Sequence, residues 1–320
     1  MAFFVKVNGK SVASLVLGLL SLGLLCFTGV PAIVLGVAAL REINRSDGVQ
    51  KGRKLAVAGI VLGGLGTTVL GCGILAMIYN GIRETSNRVT CENNLRQIGF
   101  ALHFYVDRNG YFPTGTVAND KLPPEQRLSW CTAILVFLEQ DRSKANLDPN
   151  RAWYRLSEEI DKHQGWQAPA NQKVAATPIR GFICPSWTGT LQAGEPAPTT
   201  YVGVGGLGKD GPLLPVEDPR AGLFGYDHKT KLGDVTRGIS NTAMVIETGK
   251  DVGPWAAGGP STVRPVVPKQ EPYLGASRPF GGLHPRIANV LFVDGSVRQL
   301  ANTIKPQVLE ELATIHEAQK

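Results

Sequence analysis

Two stretches without a charged side chain, Val12–Leu40 and Leu55–Tyr79, lie in the first quarter of this 320-residue chain. Crossing the hydrocarbon core of a bilayer takes about 20 apolar residues, and both stretches are longer. Five of the fourteen residues between them, the loop 41–54, are Lys or Arg. Such a chain is expected to fold as a two-span membrane module, residues 1–82, followed by a separate domain, residues 83–320. The second part is long enough to bury a core of its own.

Charge is divided unevenly between the two parts. Residues 1–89 carry nine Lys/Arg against three acids, whereas residues 90–320 carry 24 against 23. The basicity therefore belongs to the membrane module. A nucleic-acid reader carries its positive charge on the reading domain, so that class of partner is not expected; the bilayer is.

The same residues set an orientation. Short basic loops stay cytoplasmic, which predicts loop 41–54 inside and both the N-terminus and the domain 83–320 outside. Lys6 and Lys10 oppose this more weakly. The first apolar run is too long for a cleaved signal peptide and is expected to stay as an anchor. Thr28-Gly29-Val30-Pro31 interrupts it, and proline kinks a helix. One kinked, tilted span is predicted, with a re-entrant segment as the alternative. Gly59 and Gly63 form a small-xxx-small face, expected to pack within the module.

Of five cysteines, Cys26 and Cys72 lie in the apolar runs and read as small apolar side chains. Cys91, Cys131 and Cys184 lie in the outer domain, where a bridge can form. Cys91–Cys184 is the preferred pair, leaving Cys131 free. No Cys or His spacing points to a metal, and no cofactor is expected.

In the outer domain Cys91, Leu95, Ile98, Leu102 and Tyr105 recur at helical spacing, and Asn109-Gly110 is a helix stop. One long helix from Leu55 to Asn109 is predicted. Trp130–Gln140, Trp153–His163 and Val308–Ile315 read as further helices. Ile179–Cys184, Thr200–Val204 and Thr242–Glu247 read as strands, and Asp251–Arg278 as a surface loop. Ala288–Val293 and Ser296–Leu300 flank Asp294-Gly295, which predicts a hairpin with a type I′ turn.

Several of these residues resemble a known family. His284, nine residues and then Asp294-Gly295 match the H-X9-DG signature of prepilin-like proteins abundant in planctomycete bacteria (domain of unknown function 1559). Cys91-Glu-Asn93-Asn94-Leu95-Arg-Gln97-Ile98-Gly99 is similar to that family's helix motif and Gly110-Tyr-Phe-Pro113 to its helix exit. Cys184-Pro185-Ser186, Tyr201-Val-Gly203 and Gly238-Ile-Ser240-Asn241-Thr242 resemble its later motifs. The resemblance implies an α+β fold of pseudopilin type, a long membrane-anchored helix packed on a small antiparallel sheet, with no established enzymatic activity. Residues 11–79 depart from it. They carry neither a prepilin-type leader nor its glutamate, and resemble a second domain of unknown function (4190), through a run like Lys51–Gly59.

Each conspicuous residue also has a plain reading. Asp294-Gly295 is what a turn requires, and His284 before Pro285 can anchor that turn. A catalytic pair of His284 and Asp294, as in a hydrolase, is the remote alternative. Gly203–Gly208 lacks a following helix and reads as a flexible turn, not a phosphate loop. Ser240 or Asn241 is expected to satisfy backbone groups at a strand start. The five tryptophans leave open a carbohydrate or small-solute binding domain. The favoured expectation is a membrane-anchored, extracytoplasmic structural or interaction protein of the cell envelope, multi-pass, meeting other envelope or surface proteins. The oligomeric state is left open.

Overall fold

A computed structural model describes residues 6–21, 26–46, 49–138 and 152–317. The chain divides into two compact units, 1–83 and 84–320.

In the first unit β1 (Lys6–Val7) precedes α1 (Gly9–Ser21) and α2 (Cys26–Arg45), and β2 (Gln50–Lys51) leads into α3 (Arg53–Asn109). Val12–Leu40 is therefore not one kinked span. It forms two helices that double back, so that the Ser14 hydroxyl donates to the Ala32 carbonyl at 2.7 Å. Pro31 lies inside α2 without ending it. As the sixth residue of α2 it removes one intrahelical hydrogen bond, a loss that closely packed neighbouring helices make tolerable. Helix α1, at 13 residues, is about 20 Å long, short of the roughly 30 Å hydrocarbon core.

This doubling back corrects the expected placement of the N-terminus. Strand β1 pairs in parallel with β2, Lys6 opposite Gln50 and Val7 opposite Lys51. Asn8 donates to Glu42 at 3.0 Å, and Lys10 forms an ion pair with the same carboxylate. Residues 6–10 and the described part of the basic loop thus occupy the same end of the unit, not opposite ends. Asp47 and Gly48 of that loop lie outside the described residues.

Small residues line the seams between these helices. Ser11, Ser14, Gly18 and Ser21 are the buried side of α1. A Cβ on Gly59 would meet the Ser14 hydroxyl at 2.2 Å, and one on Gly63 would meet the Gly29 carbonyl at 2.8 Å. The small-xxx-small face is consumed inside the unit. The large side chains point out: Val16, Leu19, Val34, Val61, Val69 and Leu75 are exposed. Among the described residues one helix, α3, is long and apolar enough to cross a membrane, and α1 is a shorter apolar helix. These features suggest membrane association.

The second unit begins at Glu84 within α3. Cys91, Leu95, Ile98 and Leu102 are fully buried on one helical face, and the helix stops at Asn109 before Gly110 at φ +81°. After α4 (Trp130–Ile134), α5 (Ala152–Glu158) and α6 (Pro169–Ala175) come β3 (Tyr201–Leu207), β4 (Ala243–Glu247), β5 (Val263–Val266), β6 (Ile287–Phe292), β7 (Val297–Ala301) and α7 (Pro306–Leu312). The five long strands form one sheet in the order β5-β3-β4-β6-β7.

Each face of the sheet is covered. Val245 and Leu291 belong to the core that includes Leu95 and Ile98 of α3. Gly99 lets the helix approach, since a Cβ there would stand 3.0 Å from Leu291. Val202, Ile246 and Val290 point to the opposite core with Leu309 of α7 and Phe280. Strands covered on both faces lose polar alternation, which is why all five residues of β4 are buried.

Several sequence expectations change here. The sheet is mixed, because edge strand β5 runs parallel to β3. Asp251–Arg278 is not a surface loop: it contributes β5 and buries Trp255 completely. Pro265 is tolerated because β5 is an edge. Ile179–Cys184 forms a single 3-10 turn, Arg180–Phe182, rather than a strand. The helix expected over 130–140 gives way after Ile134 to a 3-10 turn, and residues 139–140 lie outside the described ones. Gly203–Leu207 belongs to strand β3 rather than to a flexible turn, and Gly208 follows it at φ +91°. A Cβ on Gly203 would meet the Phe224 ring at 2.6 Å and one on Gly205 would meet Pro212 at 2.6 Å. The Asp294-Gly295 hairpin forms, but Gly295 alone has positive φ, +80°. Gly295 N–H bonds to Phe292 and Phe292 N–H to Ser296. That is a type I turn closed by a glycine bulge, not type I′.

Candidate functional site

The sequence motifs meet at one buried place beneath α3. Cys91 on the helix and Cys184 in the turn after Phe182 form a disulfide, with Cα atoms 5.2 Å apart. Both are fully buried. The Cys184 N–H donates to the Thr200 hydroxyl at 2.7 Å, tying that turn to the start of β3. Cys131 is free and buried, and Cys72 is free and exposed. Burial holds the Cys131 thiol well above its ordinary range.

His284 packs against this pair. Its Nε2 lies 3.4 Å from the Cys184 sulfur and 3.7 Å from the Glu247 carboxylate. Its Nδ1 lies 2.7 Å from the Glu84 carboxylate. Glu84 also accepts from the Ser186 hydroxyl at 3.2 Å, which in turn accepts from the Asn87 amide at 3.1 Å. The Cys-Pro-Ser turn therefore holds both a sulfur and a support for the carboxylate that orients His284.

Glu247, at the end of β4, is completely buried. One carboxylate oxygen accepts from the Asn289 amide of β6 at 2.9 Å. The other, and the Asn289 carbonyl oxygen, have no hydrogen-bond partner. Burial pushes this carboxyl above the ordinary range, against the opposing pull of His284 and the Asn289 amide. On the other flank the Tyr201 hydroxyl lies 3.1 Å from the Cys91 sulfur and accepts from the Asn94 amide at 3.3 Å. Burial raises the Tyr201 phenol above its usual value. Asn94 also donates to the Ile183 carbonyl at 3.2 Å.

Folding therefore brings together Cys91, Asn94, Cys184, Ser186 and His284 from the sequence motifs. It leaves others apart. Asn93 and Gln97 face solvent, whereas Leu95, Ile98 and Gly99 serve the helix-to-sheet contact. Asp294 accepts from the Ser296 N–H at 2.9 Å and lies 3.6 Å from Arg298. It belongs to its own turn, and His284 to the buried cluster. Thr242, not Ser240 or Asn241, supplies the side-chain bond at the start of β4, to Gly238 at 3.2 Å. Pro185 is exposed.

Sequence reasoning overlooked Glu84, Glu247 and Asn289 as members of this cluster, and singled out Tyr201 only as part of the Tyr201-Val-Gly203 motif. A usable signal existed for two of them. Glu247 ends the apolar run Ala-Met-Val-Ile, and Asn289 interrupts Ile-Ala-Val-Leu-Phe. A polar residue set in a strand buried on both faces needs a partner. The cross-strand register that places Ile246 opposite Val290 makes Glu247 and Asn289 neighbours.

Surface hollows of about 300–380 Å³ among the described residues, beside Arg237, Trp166 and Tyr105, are not lined by the buried cluster. Trp130 and Trp255 are fully buried, and Trp153, Trp166 and Trp187 are half-buried.

A family model described as "Protein of unknown function (DUF1559)" matches residues 81–266, spanning the helix motif, the Cys-Pro-Ser turn, β3 and β4. The chain belongs to that family. A second model, "Domain of unknown function (DUF4190)", matches residues 10–76, the helices of the first unit. No curated protein and no solved structure matches the chain.

Proposed function

We propose that this DUF1559 protein is a membrane-anchored structural or interaction module of the cell envelope, with an extracytoplasmic domain of pseudopilin type and no catalysis of its own. The observation that carries this reading is helix α3. It is uncharged and outwardly apolar from Leu55 to Tyr79, and from Cys91 to Leu102 it forms one wall of a protein core. One element thus acts as anchor and as core.

The orientation rests on the basic end of the first unit. Lys6, Lys10, Arg41, Arg45, Lys51, Arg53 and Lys54 all lie at or beside the β1–β2 pair, and such a cluster stays cytoplasmic. On this reading α1 and α2 enter from that side and return to it, and α3 crosses to the other. What supports a non-catalytic role is that His284 and Asp294 serve different places, His284 meeting Glu84 and Asp294 its own turn.

The test is labelling in intact cells with a membrane-impermeant maleimide. Lys269→Cys, on an exposed turn of the domain, is expected to label from outside, and Lys6→Cys only after permeabilisation. Release of the full chain by alkaline carbonate, or labelling of Lys6→Cys from outside, would overturn the reading.

A further inference from the structure

Cys91, Cys184, Glu247 and His284 each bring one ligand-type atom into a single cluster, all within 4.8 Å of one another and all buried. We propose that in the unbridged chain these four side chains form a tetrahedral site for a zinc-type divalent cation, so that the same two cysteines hold either a disulfide or a metal. The proposal goes beyond the anchoring role above and is independent of membrane orientation.

Ligand chemistry and local support both fit. Two thiolates, an imidazole and a carboxylate form a donor set suited to zinc, with bonds of about 2.0–2.3 Å. Opening the S–S link frees two sulfurs on backbones whose Cα atoms are already 5.2 Å apart. His284 Nε2 faces the Cys184 sulfur and Glu247, while Nδ1 is held by the Glu84 carboxylate. With Nδ1–H donated to Glu84, the Nε2 lone pair is the free one and points at the cluster. A carboxylate behind a ligating histidine is the usual outer support of such sites. The Asn289 amide orients the Glu247 carboxylate through the oxygen that faces His284, and the other oxygen is buried without a partner, so the carboxylate keeps acceptor capacity that a cation would use. The Tyr201 hydroxyl beside the Cys91 sulfur can donate to a thiolate. Binding is M²⁺ + 2 Cys–SH → (Cys–S)₂M + 2 H⁺, with the His284 Nε2 lone pair and a Glu247 oxygen as the other two donors. No redox step is involved.

The test uses the full chain in detergent, purified with a phosphine that keeps its thiols reduced, stripped of metal and titrated with Co²⁺ under argon. The expected result is roughly one equivalent bound per chain, with near-ultraviolet thiolate-to-cobalt absorbance and visible bands of tetrahedral intensity. Zn²⁺ should displace the cobalt. Cys91→Ser should abolish the absorbance, and Cys131→Ser should leave it intact. His284→Gln and Glu247→Gln should weaken binding by about 100-fold or more, and Glu84→Gln by about 10–100-fold. A reduced chain that is unfolded without metal and folds on adding Zn²⁺ supports the proposal equally. It is overturned by a reduced chain that takes up no more cobalt than Cys91→Ser, or that neither is folded nor folds with zinc. It is also overturned by wild-type affinity in both His284→Gln and Glu247→Gln, or by equal uptake in the bridged protein.

Discussion

The two units of this protein are built in opposite senses. The second buries its bulk: Trp130, Trp255, Phe182, Phe224 and Phe292 are at most 1% exposed. The first buries serine, glycine and alanine and turns valine and leucine outward. In water, apolar burial drives packing at about 25 cal/mol per Å², and the second unit follows that rule. In lipid that driving force vanishes between helices, and close approach through small residues takes its place. On the membrane-anchored reading one chain obeys two solvents, and the change falls within α3.

The contrast can be broken by equal changes on each side. The largest effect is expected from Trp255→Ala. This indole is fully buried and donates to the Thr177 carbonyl at 3.0 Å, so its loss should cost about 3–5 kcal/mol. Leu75→Ala, at a side chain 67% exposed, should leave domain unfolding unchanged. Denaturant melts of both variants in one detergent check the pair.

Next in size is a charge placed on each surface. Val69 and Leu213 are 68% and 66% exposed. If the first faces lipid, Val69→Lys should disfavour insertion by about 2.5–3.5 kcal/mol, read as carbonate-extractable protein. Leu213→Lys should change stability by no more than about 0.5 kcal/mol. Equal behaviour of the two would mean that both surfaces meet water.

His284→Gln sharpens the comparison on the domain side. It removes a fully buried ring together with its contacts to Glu84 and Glu247, and losing the partner of the fully buried Glu247 carboxylate costs about 1–3 kcal/mol. The melting temperature of the bridged protein should fall accordingly, without change in membrane partition. The smallest effect is expected from Asp294→Asn. Its amide oxygen can still accept from the Ser296 N–H now held at 2.9 Å, so a shift below about 1 kcal/mol should appear in the same melt.

What could be read in the sequence follows the range of the forces concerned. The α3 face from Cys91 to Leu102 was legible because helical spacing is a local property. Strands β3, β4, β6 and β7 were legible from β-rich runs and breakers. Gly203–Gly208 was misread because what occupies the space beside it, Phe224, Pro212 and Arg220, comes from later in the chain. The return of α1 on α2 was offered only as the re-entrant alternative, because hydropathy alone cannot distinguish one long run from two short ones. The buried cluster was half visible. Its cysteines and histidine stand out by type, but Glu84 and Glu247 look like any other acids until the sheet register and α3 place them.

The contact between Glu84 and His284 closes over 200 residues, and this gives the protein a timetable. At about 5–20 residues per second, His284 is made some 10–40 seconds after Glu84. The β1–β2 clasp, closed over fewer than 50 residues, can form long before. During that interval Cys91 exists before its partner Cys184, and Cys131 is synthesised between them. The wrong bridge is thus available first. Burial of Cys131 comes later still, because the flanking Ser129 hydroxyl and Trp130 indole bond to the carbonyls of Trp255 and Thr262, which are made after Cys184.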